Sequence, residues 1–242
     1  MFQARAQQRT IPGAVATVGV NERVAFLRRT YAHLAVAILA FVAITYGFMQ
    51  TDASLKFTAW ALNPAQRWNW LMVLGAFMLV GFITDRLARS ETSVGLQYVG
   101  LALGVTAEAI IVTPLLWVAV LYSKDPHIIQ KAGLFTLLIF AGLTGTVFIT
   151  RKDFSFLRGI LMIGSFGALG IIIASMIFGF HLGTIFSVAM IVLMAGFILY
   201  QTSLLMAYFR PTQHVSAALM LFSTIATLFW YVLQLLMSLQ RN

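Results

Sequence analysis

The sequence predicts an all-α integral membrane protein with seven transmembrane helices. Three observations carry that expectation. Hydrophobic residues make up 60% of the 242 and charged residues only 10%, whereas a water-soluble domain carries about 25% charged residues to keep its surface wet. Mean hydropathy is accordingly high, at +0.90. No Asp, Glu, Lys or Arg occurs from Gly159 to Phe209, nor from Pro211 to Gln240. A helix needs about 20 apolar residues to cross a hydrocarbon core of roughly 30 Å, so the first run holds two crossings and the second holds one. Finally, the basic residues sit in short clusters between apolar runs, the pattern that orients a membrane protein.

Met1 to Thr30 is polar and too long for a cleaved signal, and the apolar run after it leads into further spans. It reads as a cytoplasmic arm with a short interfacial helix from about Val20, and residues 31–242 read as the membrane domain. The expected spans are Tyr31–Gln50, Trp68–Thr84, Val94–Tyr122, Ala132–Thr150, Phe156–Phe178, Thr184–Phe209 and Val215–Met237. The third is longer than one straight crossing requires. Pro114 lies within it, where the missing amide donor predicts a kink or an irregular segment. The last run is either a plain crossing or a central helix enclosed by the others. Six spans is the fallback, should one run re-enter.

Arg5, Arg9, Arg23, Arg28, Arg29, Arg86, Arg89, Arg151, Lys152, Arg158 and Arg210 fall on one side of these spans, eleven of the sixteen basic residues. Lys56, Arg67, Lys124, Lys131 and Arg241, the other five, fall opposite. That bias places the N-terminus in the cytoplasm and the C-terminus outside. It also accounts for the net charge of +9 without nucleic acid. Trp60, Trp68, Trp70 and Tyr122 fall near expected interfaces, where aromatic belts form. Gly100 and Gly104 on the third span, and Gly164, Gly167 and Gly170 on the fifth, read as packing notches, with a pore lining or hinge as the alternative.

Glu108 is the sharpest single signal. A carboxyl at bilayer depth is costly unless paired or wetted, so it is expected to face a cavity or ion path, with an interhelical hydrogen bond as the plainer reading. His33, at the start of the first span, is an interface or helix contact and a candidate pH sensor. Asp85 and Arg86 end the second span, with Asp153 or Arg151 as candidate partners across the cytoplasmic face. His181 and His214 read as loop or end residues, and the four histidines are too scattered for a metal cluster. The absence of cysteine excludes disulfides, thiolate metal sites and cysteine nucleophiles. No HExxH, GxSxG elbow or phosphate-binding glycine loop occurs, so neither an enzyme nor a cofactor is expected.

The segment from Thr150 to Leu157, Thr-Arg-Lys-Asp-Phe-Ser-Phe-Leu, resembles the cytoplasmic end of a central span in the Bax inhibitor-1 family, especially its bacterial YccA-like branch. Arg151, Lys152 and Asp153 belong to that motif. Gly196 to Ser203, Gly-Phe-Ile-Leu-Tyr-Gln-Thr-Ser, is similar to a family segment ending in Ile-Leu-Tyr-Asp-Thr, and the general pattern extends from about Arg28 to Leu239. The resemblance implies a seven-helix fold whose last helix is surrounded by the other six, in a bacterial inner membrane. It also implies a pH-sensitive calcium leak governed by two aspartates near the cytoplasmic ends of the last two helices. Those positions fall on Gln201 and, with Thr227-Leu-Phe matched to the family's Asn-Leu-Phe, on Thr224. Neither can titrate or hold calcium as a carboxylate pair would.

Two functions are therefore expected to compete. One is a leak for calcium or other cations, working through Glu108 or His33 beside Gln201 and Thr224. The other, which the resemblance to the YccA-like branch implies, is a non-enzymatic modulator of the membrane-bound protease FtsH and of membrane-protein quality control, with the basic arm as the segment a partner would engage.

Overall fold

The computed structural model describes residues 13–66, 68–90, 93–150, 152–180 and 182–241. Arg5, Arg9, Arg67, Arg151 and His181 lie outside the described residues, as does the arm up to residue 12. A single 3-10 turn, Val15–Thr17, precedes α1 (Val20–Met49), α2 (Asp52–Ala61), α3 (Trp68–Ala88) and α4 (Val94–Tyr122). There follow α5 (Ile128–Thr150), α6 (Leu157–Phe178), α7 (Thr184–Tyr208) and α8 (His214–Arg241). All except α2 are long and apolar enough to cross a membrane, which gives the seven expected spans.

Two elements differ from expectation. The first span and the interfacial segment form one helix of 30 residues, because neither Gly nor Pro interrupts the chain between Val20 and Tyr31 and both Phe26 and Thr30 are buried. The connection after it contains α2, whose ten residues span only about 15 Å at 1.5 Å per residue. It lies across one end of the bundle: Trp117 Nε1 donates to Ser54 Oγ at 3.1 Å, and Asn69 Nδ2 donates to the Trp60 carbonyl at 2.7 Å.

Helix α8 is central. It packs against α1, α3, α4, α5 and α7, and Val215, Ala217, Ala218, Leu221, Leu228 and Leu233 are fully buried along it. Helix α6 stands outside this group and packs chiefly against α7. The second buried helix is α4, which runs unbroken through Pro114 instead of becoming irregular. Thr113 Oγ1 donates to the Ala109 carbonyl at 2.7 Å just before that proline. The outer helices turn large apolar side chains outward, including Ile149, Ile163 and Ile185, as a lipid-facing surface requires.

Glycines decide how closely the helices approach. A β-carbon on Gly100 would lie 2.6 Å from the Ala88 amide nitrogen and 2.7 Å from the Thr84 carbonyl oxygen, so α3 and α4 meet backbone to backbone. One on Gly104 would lie 2.6 Å from Leu219 Cδ1, and one on Gly164 would lie 2.8 Å from Leu193 Cδ1. Gly167 and Gly170 face open space and are not packing notches within this chain. Trp60, Trp68 and Tyr122 are exposed, but Trp70 stacks on Trp230 of α8, with ring centroids 5.9 Å apart. It therefore also packs α3 onto the central helix.

One end of the bundle carries the chain start and the basic residues Arg29, Arg89, Arg158 and Arg210. There the Val15 amide donates to the Phe209 carbonyl at 2.9 Å. Asp85 pairs with Arg89 one turn on, at 2.8 Å; Arg151, its candidate partner across the face, lies outside the described residues. At the opposite end Ser123 Oγ donates to Gln240 Oε1 at 2.8 Å. The α4–α5 loop is closed by Lys131 Nζ on Asp125 Oδ2 at 2.6 Å. That hydrogen bond and the amide of His127 hold the Asp125 carboxyl below its usual range.

Candidate functional site

The site begins with the close crossing of α4 and α8. Both helices start at the basic end and run in the same direction. Gly104 admits Leu219, and one turn further along each helix stand Glu108 and Ser223. The glycine thus brings the two polar side chains within reach, and Ser223 stands beside the Glu108 carboxyl. Glu108 is 8% exposed, among Val105, Ala109, Ile111 and Val112 of its own helix. It is turned neither to lipid nor into a purely apolar pocket.

Successive residues on a helix point about 100° apart. Thr224 therefore faces away from Glu108, towards α7, where its Oγ1 donates to Gln201 Oε1 at 2.9 Å. The two positions that correspond by resemblance to carboxylates are thus direct partners, as a neutral hydrogen-bonded pair. Glu108, Ser223, Thr224 and Gln201 form one polar layer through the centre of the bundle, carried on three helices. Closer to the basic end, Tyr31 of α1 meets Thr202 and Thr144. These three buried hydroxyls are in loose contact and form no closed hydrogen bond.

His33 is not part of that layer. Its Nδ1 lies 2.7 Å from the Arg29 carbonyl, which can only accept, so Nδ1 carries the proton. In the neutral ring Nε2 then accepts from the Tyr98 hydroxyl at 2.9 Å. The His214 ring packs edge-on against it, with centroids 4.9 Å apart. This is a second cluster, at the basic end, that joins α1, α4 and α8. His214 is thereby a helix-joining residue, which its place between two apolar runs did not signal.

The Lys152–Asp153 part of the loop motif serves local structure. Asp153 Oδ1 accepts from the Ser155 amide at 2.8 Å and Oδ2 from its hydroxyl at 3.0 Å, which shapes the turn into α6. Lys152 is exposed.

Two cavities flank the polar layer. One, of about 760 Å³, opens at the basic end and is lined by Arg89, Arg158, Arg210, Tyr200, Gln213 and Met220 among others. The other, of about 710 Å³, opens at the opposite end beside Tyr122, Ser123, Lys124, Gln234, Ser238 and Gln240. Both reach α8. Among the described residues no group of three or more His, Asp or Glu side chains is placed to hold a metal ion. The layer itself offers one carboxyl, one amide and two hydroxyls. That is a set of hard oxygen donors with too little charge for a tight calcium site, which takes six to eight oxygens.

A bundle of seven apolar helices around a buried polar layer on the last of them defines a polytopic membrane protein with its polar chemistry in the core. Residues 23–242 match the family described as "Inhibitor of apoptosis-promoting Bax1". The chain belongs to this family, the Bax inhibitor-1 family. It is 29% identical to the Golgi anti-apoptotic protein of Vaccinia virus (strain Lister) over 229 residues, covering 92% of this chain and 89% of that one. It is 27% identical to protein lifeguard 4 of Mus musculus, covering 94% and 91% of the two chains. Identity to Bax inhibitor 1 of Schizosaccharomyces pombe is 28%, with 94% and 82% covered.

Proposed function

We propose that this chain is a pH-influenced leak pathway for cations, calcium among them, in a bacterial inner membrane, with its N-terminus cytoplasmic and its C-terminus periplasmic. The observation that carries the reading is the Glu108–Ser223 contact on the central helix, next to the Thr224–Gln201 pair and between two cavities that open at opposite ends. A carboxyl buried at that depth belongs to a path instead of a lipid face. We take this arrangement, with Thr224 bonded to Gln201 on one side of α8 and Ser223 beside Glu108 on the other, as the shut state. A change of protonation at Glu108 would alter its contact with Ser223 and so bias opening. The arginines at one mouth raise the barrier to cations entering there, so the leak is slow and faster from the opposite end. The excess of basic residues at the N-terminal end supports the orientation.

The test is calcium and potassium flux in proteoliposomes, at mildly acidic and mildly alkaline pH, for the intact chain and Glu108→Gln. Flux that depends on pH in the intact chain and loses that dependence in the variant is expected. No flux above empty liposomes from folded protein would overturn the reading.

A second reading, a non-enzymatic modulator of the membrane protease FtsH and of membrane-protein quality control, is favoured by one observation. The Thr224–Gln201 pair is neutral where the family resemblance expects carboxylates. Capture of the protease by the full chain, unaffected by E108Q, is what this reading expects.

A further inference from the structure

A threonine hydroxyl inside an apolar helix has a ready partner, the carbonyl four residues back. Thr136, Thr146 and Thr150 on α5 all donate to it, at 2.7 or 2.8 Å. Thr144, on the same helix, does not, although its hydroxyl oxygen is sealed from solvent. Thr202 on α7 behaves alike. Its neighbour Ser203 donates to the Tyr200 carbonyl at 2.8 Å, whereas the Thr202 hydroxyl bonds to nothing on its own helix. Both threonines meet the Tyr31 hydroxyl of α1, which is itself sealed and closes no hydrogen bond. Thr144 is only 7% exposed and Thr202 only 1%, so solvent at the surface does not serve them.

Three hydroxyls from three helices therefore converge without satisfying one another. Each can donate once and accept twice, and a buried hydroxyl left without a partner is costly. Their neighbours are apolar: Ile198 and Leu205 flank Thr202 on its face of α7, Phe140 and Val147 flank Thr144 on α5, and all four are buried. The Tyr31 ring meets Phe148 of α5 edge-on, with centroids 6.0 Å apart. Helix α1 packs closely on α4 and α8 but not on α5 or α7, so at this level side chains meet while the backbones stand apart. We propose that Tyr31, Thr144 and Thr202 bind one water molecule, hydrogen-bonded to all three oxygens, that joins α1 to α5 and α7. A buried water makes about three such bonds to groups that otherwise have none, and three hydroxyls offer it both donors and acceptors. Water fits better than a calcium ion, which takes six to eight oxygens, because the three hydroxyls are neutral and too few. Neither of the two cavities is lined by these residues, so the water is enclosed. The assignment is independent of whether the chain conducts ions.

The test is a crystal structure of the full chain, grown from a lipid phase at a resolution that shows water, paired with radiolytic labelling, which oxidises side chains beside ordered water. A density peak about 2.7–2.8 Å from all three oxygens is expected, the commonest length of an O–H···O bond. Tyr31 is expected to be oxidised in the intact chain. Thr144→Val combined with Thr202→Val should abolish that oxidation, while the exposed Tyr122 reacts as before and reports that the fold is kept. Thr202→Ser, which retains a hydroxyl, should keep the label on Tyr31. Direct bonds between Tyr31 and a threonine hydroxyl, with no peak among the three, would overturn the proposal. So would a peak held by further oxygens at about 2.3–2.6 Å, the spacing of a calcium ion, or Tyr31 oxidation that persists in the folded double variant. The crystal structure decides the case by itself if the double variant does not fold.

Discussion

Gly100 of α4 rests directly on the backbone of α3 at Ala88, with 2.6 Å between the Ala88 nitrogen and the place where a β-carbon would stand. Neither partner can rotate away, because both are main chain. In lipid the hydrophobic effect does not hold helices together, so this contact depends on close van der Waals packing and on the absent side chain. Gly100→Ala is expected to destabilise the bundle by about 1–3 kcal/mol, the usual range for overpacking. Gly104→Ala should cost less, because Leu219 can withdraw the end of its side chain. Gly167→Ala and Gly170→Ala meet nothing and should be neutral or stabilising by up to about 1 kcal/mol, through helix propensity. Thermal unfolding of the four variants in detergent checks this order, and equal losses at all four would contradict it.

The Glu108–Ser223 contact predicts a graded response. Ser223→Ala takes away the hydroxyl beside a buried carboxyl and should cost about 1–3 kcal/mol if that hydroxyl is its hydrogen-bond donor. E108Q retains a carbonyl oxygen that can accept the same hydrogen bond and should cost less than Glu108→Ala, which leaves a void as well. Denaturation of the three variants, measured alongside their flux, separates a structural effect from a functional one.

The Thr224–Gln201 pair should behave as a coupled unit. Thr224→Val and Gln201→Ala each break one neutral hydrogen bond, for a loss of about 0.5–1.5 kcal/mol apiece. The double variant should lose less than the sum, because the second change finds no bond left to break. Additive losses would show that the 2.9 Å contact does not contribute in the membrane.

The loop between α4 and α5 predicts a pH effect outside the bilayer. Lys131 holds the Asp125 carboxyl below its usual range, so this group binds its proton less readily when folded than when unfolded. Its contribution is therefore complete above the unfolded carboxylate pKa, roughly 4, and fades as pH falls through the lower folded value. The pair is exposed and its effect small. Asp125→Asn should remove that part of the acid-side slope in a melting-temperature profile and leave the neutral region nearly unchanged.

The span pattern was legible because long uncharged runs admit few alternatives. Val94–Tyr122 was read to the residue, with Ser93 accepting from the Leu96 amide to cap its start. Helix α2 was not legible, since ten residues with Asp52 and Lys56 look like a polar connection until Trp117 and Asn69 hold them in place. The weight of α4 in the core was also hidden. A helix apolar on every side has no periodicity to separate its protein face from its lipid face, so only Glu108 marked an inward direction. The same lack of contrast left the glycines equivalent in sequence, although Gly164 packs and Gly167 does not. Gln201 and Thr224 became partners on paper only through the family resemblance, because 23 residues and a helix reversal separate them.

The most enclosed of these helices is also the last of them in chain order, so it is made after the six other spans. Until residues beyond His214 have emerged, the six earlier spans have nothing to close around, and the contacts of α1, α3, α4, α5 and α7 with α8 do not exist. An unfinished or truncated chain is therefore inserted but hollow, with its inner faces open to the quality-control machinery of the membrane. Closure of the bundle therefore waits on its most enclosed helix, and every outer helix is held in place by a partner that comes after it in the chain.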